Sequence, residues 1–525
     1  MAVLLALSAF MHLWGIRKDL PYVPDLDEPE FVYSAVRIVS TGSFHPRIFG
    51  HPGSTVIYPL AIVYHLRNVI FNNGPLFKAD SKVVLRFDEN DSAFYYIGRI
   101  IAILWNVATL FMLFGLGRDL YNDKIGLMAA GLYLNYQLAI AQSQLVRTDS
   151  VATFFGILGL RLIIRLYSDP KLVNQVLVGI VIGLGIASRY FMALLIPVYL
   201  IASIAFLVKT RPNQNTKTIT VGVLLGLMVI FITFFAVTPF FLLDFHTAVE
   251  NILREARVVH GGADNLSPLG NMGWYLFNVF PASVTWIQMI FAIVGIAIIL
   301  TKKYDKALLG VLLFFVFFAG VCAQHLHWAR WIVELLPLFA LFTAVALDKT
   351  VEWAMIYFNQ PKANKSFYLV LAVVAVSILP AINTIKYNVS QARYSTRIDM
   401  YRWILKNVPF GSHIANEWYT APLLKKNYVN IEKNTLSDVP LDEYKKEGYE
   451  YLLVGSMRFN LFLNNPTRYE REAAFYRSLF AESTLIKTVL PKPGQAGPEI
   501  RLYKLNDGEN DNQDKNPKDM DNRVN

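Results

Sequence analysis

A single cysteine, Cys322, stands among 525 residues, and it lies inside an apolar run. One thiol builds neither a disulfide framework nor a cysteine metal site within a chain, so Cys322 reads as a packing residue. Charge is scarce as well: 17% of residues are charged, against about 25% in a soluble domain. There is no P-loop and no G-x-G-x-x-G after a strand, which leaves soluble nucleotide binding unsupported. No pair of spans shows the Gly/Pro-broken pattern of an inverted-repeat transporter. The first apolar run lacks a basic n-region and an A-x-A-like end, so no cleavable signal is expected. No internal repeat stands out.

What is abundant is apolar: 54% of residues are hydrophobic and 14% aromatic, with a mean hydropathy of +0.37. A chain solvated by lipid needs that excess, because its outward faces must be apolar too. The net charge of +10 is spread in short clusters between apolar runs. That is how cytoplasmic loops are marked, and no nucleic-acid partner is expected. A span needs about 20 mainly apolar residues. Runs that qualify or nearly do lie at 1–16, 94–116, 125–145, 149–167, 173–188, 190–208, 218–241, 273–300, 306–323, 331–347 and 367–386. The stretch 54–71 is short and carries Pro59, His65 and Arg67, so it is expected to be interfacial or re-entrant.

Charge parity tests this reading. If 54–71 does not cross, Arg118 and Lys124, Arg165 and Lys171, Lys209, Arg211 and Lys217, Lys302, Lys303 and Lys306, and Lys349, Lys362 and Lys365 all fall on one side. By the positive-inside rule that side is cytoplasmic. The expectation is a plasma (inner) membrane protein of about eleven spans, N-terminus inside and everything after about residue 388 outside. Beyond 388 the pattern changes. β-like runs at Tyr449–Gly455, Thr484–Leu490 and Glu499–Leu505 alternate with helical stretches such as Arg397–Asn407. The fold class expected is mainly α and polytopic, with interfacial helices in the first outer loop and a small soluble α+β domain. Its parts are a membrane domain at 1–388, an outer-face domain at 389–505, and a tail at 506–525 too polar to fold.

Three features can carry chemistry, and all fall on the outer side. The first loop, PDLDEPEFVYSAVRIVSTGSFHPRIFGHPG, places Asp25, Asp27, Glu28 and Glu30 within six positions. This is either a solvated loop or a set of carboxylates held against the protein by a surface helix through Tyr33. Asp149, in LVRTDSVATFFGILGL, stands where two apolar runs meet. It is either a helix cap or a functional ionisable group at the membrane edge. The third is a cationic set: Arg189 in ASRYF, His260 in VVHGG, and His325, His327 and Arg330 in CAQHLHWARWIVELLP. These suit an anionic group, and an arginine fork suits phosphate, although Arg330 also fits a snorkelling interfacial residue. His325 and His327 at i, i+2 do not share a helix face as zinc ligands at i, i+4 would. No metal site and no cofactor are expected, a divalent cation being compatible but not indicated.

Taken in order, these segments resemble the polyprenyl-phosphate sugar transferases, the C-type glycosyltransferases that include protein O-mannosyltransferases and the aminoarabinose transferases of lipid A. The resemblance runs from Asp27-Glu28, Tyr33, TGSFHP and HPG through LVRTDSVATFFGILGLRLIIRLY and GIVIGLGIASRYFMALLIPVYL. It continues to HWARWIVELLPLFAL and TRIDMYRWILKNVPFGSHIANEW. It implies that Asp27 is the catalytic carboxylate, with Glu28 beside it, and that Asp149 is a second acidic residue facing the site. Arg330 is a looser match to a residue meeting the donor phosphate. The family's lysine-proline-proline appears here as His51-Pro52-Gly53, a departure that puts His51 where the lysine would act.

The implied reaction uses a polyprenyl-phosphate-linked sugar donor and a glycolipid, protein or glycan acceptor. A carboxylate takes the proton of the attacking group, assigned to Asp27. The departing phosphate is stabilised by Arg330, with Arg189 or His260 as further cations. Asp149 either orients the acceptor or supports a cation. Base and leaving group on opposite sides of the sugar imply inversion. The competing readings are a lipid-linked sugar flippase or binding protein, and an oligosaccharide transferase. A flippase needs polar groups through the membrane interior, and the spans look nearly free of them apart from Arg99 and Arg161, read as edge-placed.

Overall fold

The computed structural model describes residues 1–505 apart from 24, 26, 51, 72–91, 211–215, 256–265, 303 and 426. The expected tail, 506–525, lies outside the described residues. The chain divides into two compact units. One is Met1–Pro21 with Leu26–Ala392; the other is Tyr22–Asp25 with Arg393–Asn525.

The first unit is a helical, polytopic membrane body. Among the described residues, eight helices are long and apolar enough to cross a membrane, beginning at Ser92, Asp149, Tyr190, Lys217, Pro268, Asp305, Ala329 and Lys365. Two shorter apolar helices, Ala2–Leu13 and Leu172–Ser188, occupy two more of the expected positions. The stretch read as one span at 125–145 is instead two helices, Asp123–Tyr133 and Gln137–Ser143. The break has a visible cause. Tyr136 is extended, and the Asn135 carbonyl accepts a hydrogen bond from Thr384 Oγ1 at 2.8 Å, a partner outside its own helix. The Ala329–Tyr357 segment runs through the middle of the body and is almost wholly buried, whereas Lys365–Gln391 exposes Phe367, Val370, Leu371 and Val374.

Close helix approach relies on small residues, as is usual where lipid competes with protein for apolar surface. A Cβ on Gly179 would lie 2.7 Å from the Gly226 carbonyl oxygen, so these helices pack backbone to backbone. The spans are also less free of polar groups than their hydropathy suggests. His12 Nε2 meets Asn106 Oδ1 at 3.0 Å, and Asn106 Nδ2 donates to Tyr133 Oη at 3.3 Å. Gln144 Nε2 donates to the His12 carbonyl and to Asn388 Oδ1, both at 3.0 Å, while Asn388 Nδ2 donates to the Met11 carbonyl at 2.8 Å. This network ties the first helix to three others. These groups bond one another, while among the described residues Gln144 Oε1 has no hydrogen-bond partner.

The basic connections meet one another. Lys124 Nζ donates to Ser366 Oγ at 2.9 Å, and Lys209 pairs with Asp305 at 2.9 Å. The first loop, by contrast, meets residues 146, 147 and 330.

The second unit is an α/β layer. Its five strands are β1 (His413–Glu417), β2 (Val429–Lys433), β3 (Tyr451–Gly455), β4 (Thr484–Val489) and β5 (Ile500–Lys504), in the order β2-β1-β3-β5-β4. β1 pairs in parallel with β2 and β3; β5 pairs antiparallel with β3 and β4. Helices Thr396–Asn407 and Glu470–Glu482 bring Tyr401 and Ile404, and Tyr476 and Leu479, into its cores. β1 ends on Glu417, whose side chain is fully buried; it accepts from Gly455 N at 2.9 Å, Leu436 N at 3.3 Å and Tyr476 Oη.

Candidate active site

The acidic loop folds into a helix, Glu28–Thr41, that starts on Pro29 in its first turn and ends on Gly42 in the left-handed region. Glu28 and Glu30 in that turn suit the positive end of the helix dipole. Asp27 occupies the N-cap, but its carboxylate makes no cap hydrogen bond. It is turned instead to two guanidiniums. Arg330 Nη1 donates to Asp27 Oδ2, and Arg147 Nη2 lies 3.2 Å from the same oxygen. The Asp27 side chain is 26% exposed, with Arg147 and Arg330 at 13% and 19%.

Glu28, its neighbour in sequence, has a different environment. It is fully buried, and both oxygens take Arg99: Nε to Oε1 at 2.7 Å and Nη2 to Oε2 at 2.8 Å. Oε1 also accepts from Val146 N at 3.0 Å. Arg99 Nη1 completes the arrangement by donating to the Ile16 and Lys18 carbonyls at 2.8 and 2.9 Å. Arg99, read as edge-placed, is thus one of the most buried side chains in the protein, 1% exposed. Glu28 and Arg99 are an anchor that fixes the start of the helix, and with it Asp27, beside residues 146 and 147. Gly53 tightens the same region, since a Cβ there would lie 2.5 Å from the Phe31 ring.

Asp149 begins the Asp149–Ser168 helix, whose N-cap Thr148 makes no side-chain cap hydrogen bond. Its carboxylate faces a buried arginine. Arg189 Nη1 donates to Asp149 Oδ1 at 2.8 Å and to Glu334 Oε1 at 2.6 Å. One guanidinium therefore bridges two carboxylates, all three side chains being buried. Among the described residues Glu334 Oε2 has no hydrogen-bond partner.

The remaining predicted residues divide. Tyr33 is half-buried on the first-loop helix, with the Arg37 guanidinium 5.9 Å from its ring centre. His325 is exposed, whereas His327 is buried with its ring 4.2 Å from that of Trp274. The two therefore do not form one anion-binding pair. His51 and His260 lie outside the described residues. Among the described residues no group of three His, Cys, Asp or Glu side chains is placed to hold a metal. The structure thus brings Asp27 together with Arg330, and Asp149 together with Arg189. It adds Arg147, Arg99 and Glu334, which the sequence reading did not assign to the site.

Net charge follows from these contacts. Asp27 with Arg147 and Arg330 carries one excess positive charge at a partly exposed position. Asp149, Arg189 and Glu334, with both carboxylates ionised, carry one excess negative charge in the interior. Chemically, the first cluster offers a carboxylate in reach of solvent and two forks suited to an oxyanion.

Comparison with known proteins bears on the fold. A sequence-family model described as dolichyl-phosphate-mannose-protein mannosyltransferase matches residues 95–237. No curated protein matches the chain in sequence. Among solved structures, ArnT from Cupriavidus metallidurans in the apo state is similar at a TM-score of 0.53 and 11% identity, over 96% of this chain and 97% of that one. The same protein bound to undecaprenyl phosphate gives 0.51 at 11% identity and the same coverage. The archaeal oligosaccharyltransferase AglB from Archaeoglobus fulgidus, in complex with an inhibitory peptide and a dolichol-phosphate, gives 0.51 at 12% identity over 90% of this chain and 71% of that one. The resemblance read from the motifs therefore holds, by family model over 95–237 and by fold over nearly the whole chain: this is a polytopic membrane protein with the fold of the C-type glycosyltransferases.

Proposed function

We propose that the chain is a membrane glycosyltransferase that moves one sugar from a polyprenyl-phosphate donor to an acceptor at the outer membrane face. Asp27 takes the proton of the attacking hydroxyl or amine as its bond to the anomeric carbon forms. The lipid phosphate departs toward Arg330, and the anomeric configuration inverts. Glu28 and Arg99 hold Asp27 in place, and Asp149 lines the inner wall with Arg189 and Glu334. His51 and His260 are assigned to donor contacts. The N-terminus is cytoplasmic, the membrane is the plasma (inner) membrane, and the acceptor is a glycolipid, protein or glycan. No cofactor is required.

The observation that carries this reading is Asp27: an N-cap carboxylate that caps nothing, partly exposed, with two arginines on one oxygen. A second reading, transfer of a lipid-linked oligosaccharide to protein, shares the fold of AglB but calls for a larger outer domain and a metal-binding carboxylate set. The test is a transfer assay in liposomes with labelled polyprenyl-phosphate sugars and a crude lipid and protein acceptor extract. Asp27→Asn is expected to lower transfer by about two to four decades, the range for a general base, while the protein stays folded. Full turnover by that variant removes the assignment.

A further inference from the structure

The segment TGSFHP carries a histidine, His45, to which the reaction above gives no role, yet its ring is held at both nitrogens. Arg47 N donates to Nδ1 at 3.0 Å. The ring proton therefore sits on Nε2, which donates to Asp244 Oδ2 at 3.0 Å. We propose that His45 is a positioning residue. It clasps the helix Glu28–Thr41 to a second helix, Phe245–Glu255, which rides in the lipid interface beside the site, and so sets the height of Asp27 above the bilayer. The clasp and the lipid seat stand on geometry; their consequence for Asp27 rests on the function proposed above.

The segment 44–50 is fastened on two sides. From Glu28–Thr41, Arg37 Nη2 donates to the His45 and Pro46 carbonyls at 3.0 and 2.8 Å, and Ser34 Oγ donates to the Pro46 carbonyl at 3.1 Å. On the other side stand Asp244 and the helix after it. The Phe240 ring centre is 4.7 Å from that of His45. A Cβ on Gly50 would lie 2.8 Å from Glu255 Cγ and 3.3 Å from the Asn251 carbonyl oxygen. Asp244, Ala248, Asn251 and Glu255, at i, i+4, i+7 and i+11, make one stripe, and Ala248 is fully buried. Segment 44–50 thus lies along that stripe, with His45 at one end and Gly50 at the other. Arg47 holds a φ of 60°, a left-handed backbone that few non-glycine residues adopt, and its bond to Nδ1 keeps it there. Hydrogen bonding from the Thr247 side chain holds the Asp244 carboxyl below its ordinary range, and His45 adds to this.

The apolar residues of Phe245–Glu255 lie off that stripe. Phe245, Val249, Ile252 and Leu253 recur at i, i+4, i+7 and i+8, and Leu253 is 66% exposed. His246, Glu250 and Arg254 occupy a third, exposed face. The helix is therefore amphipathic without packing its apolar face on the protein. Leu243, just before it, is 75% exposed. The connection says what covers this face. Only Thr238 and Pro239 join the span Lys217–Val237 to Phe240, a reach of about 11 Å at most, and the headgroup layer is about 5–8 Å deep on each side. An amphipathic helix starting there buries its apolar face at the boundary of headgroups and acyl chains. A lipid-linked sugar is held at one height by its tail, so a base that meets it needs a matching height, and small misplacements are costly.

The test uses the full-length protein in nanodiscs. Cys322 is buried, so an introduced surface cysteine takes a nitroxide label. A label at Leu253→Cys should collide with oxygen in the lipid and be shielded from a water-soluble nickel chelate; at Glu250→Cys the order should reverse. Equal exposure to the chelate at both sites overturns the lipid seat. A label at Ser43→Cys should gain mobility when His45→Asn is added. Asparagine still accepts from the amide two residues on but is too short for Asp244, so the variant removes only the clasp; His45→Gln should restore part of it. Unchanged mobility in His45→Asn overturns the clasp. Transfer then reads the consequence, with each labelled sugar carried on undecaprenyl phosphate in the nanodisc or on citronellyl phosphate in solution. His45→Asn should lower kcat for the undecaprenyl donor by about tenfold or more and for the citronellyl donor far less. An equal fall with both donors shows a structural role only and overturns the positioning. If wild type uses neither donor, the glycosyltransferase reading fails, while the label results still decide the clasp and the lipid seat.

Discussion

Replacing Arg99 with methionine tests the anchor beneath the site. The substitution removes four hydrogen bonds, two to Glu28 and one each to the Ile16 and Lys18 carbonyls. Hydrogen bonds to charged groups are worth about 1.5–3 kcal/mol each, so a simple sum gives about 6–12 kcal/mol. That sum overshoots, because the bonds act together and Glu28 relaxes or takes a proton once its partner is gone. The relevant scale is removal of one member of a buried ion pair, about 3–5 kcal/mol. Most of this cost is the charge left behind, which leads to a sharper prediction. Adding Glu28→Gln to Arg99→Met should recover about half of the loss, because the amide oxygen still accepts from Val146 N and no buried charge remains. The assay is reversible unfolding in mixed micelles, with the four proteins of the double-mutant cycle compared at one pH. A loss below about 1 kcal/mol for Arg99→Met, or a double variant no more stable than the single, would falsify the anchor. Transfer activity should fall in both variants, because the segment carrying Asp27 loses its fastening.

Two further outcomes are expected. Gly53→Ala should lower stability by about 1–3 kcal/mol, the range for overpacking, and Phe31→Leu should restore part of it; equal melting temperatures for Gly53→Ala and wild type would show that the loop yields instead. In the second unit, burial pushes the Glu417 carboxyl up to about 7 from its ordinary 4.5, outweighing the hydrogen bonds from Tyr476, Gly455 and Leu436 that favour its ionised form. A raised carboxyl favours the protonated folded state, so this stability is fully present below about pH 4.5 and is lost as pH rises through 7. At about 1.4 kcal/mol per pH unit the loss is about 3 kcal/mol. The urea concentration needed for protease cleavage within this unit of the full chain should therefore be lower at pH 8 than at pH 5.5, and Glu417→Gln should flatten the difference.

Much of the fold was legible because lipid imposes a length and a polarity on every span. Ten of the eleven expected apolar segments stand as helices where hydropathy put them, the eleventh being broken in two at 134–136, and three β-like runs of the second unit became β3, β4 and β5. β1 and β2 escaped notice: each has only five residues, β1 is mostly buried along its length and does not alternate, and the alternation Val429-Asn430-Ile431-Glu432 of β2 is short. Asp27 and Asp149 were legible because ionisable groups at span edges are rare and therefore informative. Glu334 offered the same signal, lying in WARWIVELLP, and it was passed over beside the more conspicuous Arg330. Arg147 gave no signal of its own, since its meaning lies in a side chain reaching Asp27 across the fold. Adjacency misled twice. Asp27 and Glu28 are neighbours with different partners, and His325 and His327 diverge into solvent and protein.

The polar network around the first helix has a consequence for biogenesis. His12 lies in Ala2–Leu13 and is synthesised well before Asn388, which closes the network by donating to the Met11 carbonyl and accepting from Gln144 and is contributed by the helix Lys365–Gln391. Until that helix arrives, Gln144 and the Met11 carbonyl lack one of their partners in a medium where unsatisfied polar groups are costly. The helices Ala2–Leu13 and Lys365–Gln391 are thus ordered by each other. A nascent chain stopped before residue 365 holds the helices around Asp27 in an unfinished state, which membrane quality control can recognise by its unsatisfied polar groups.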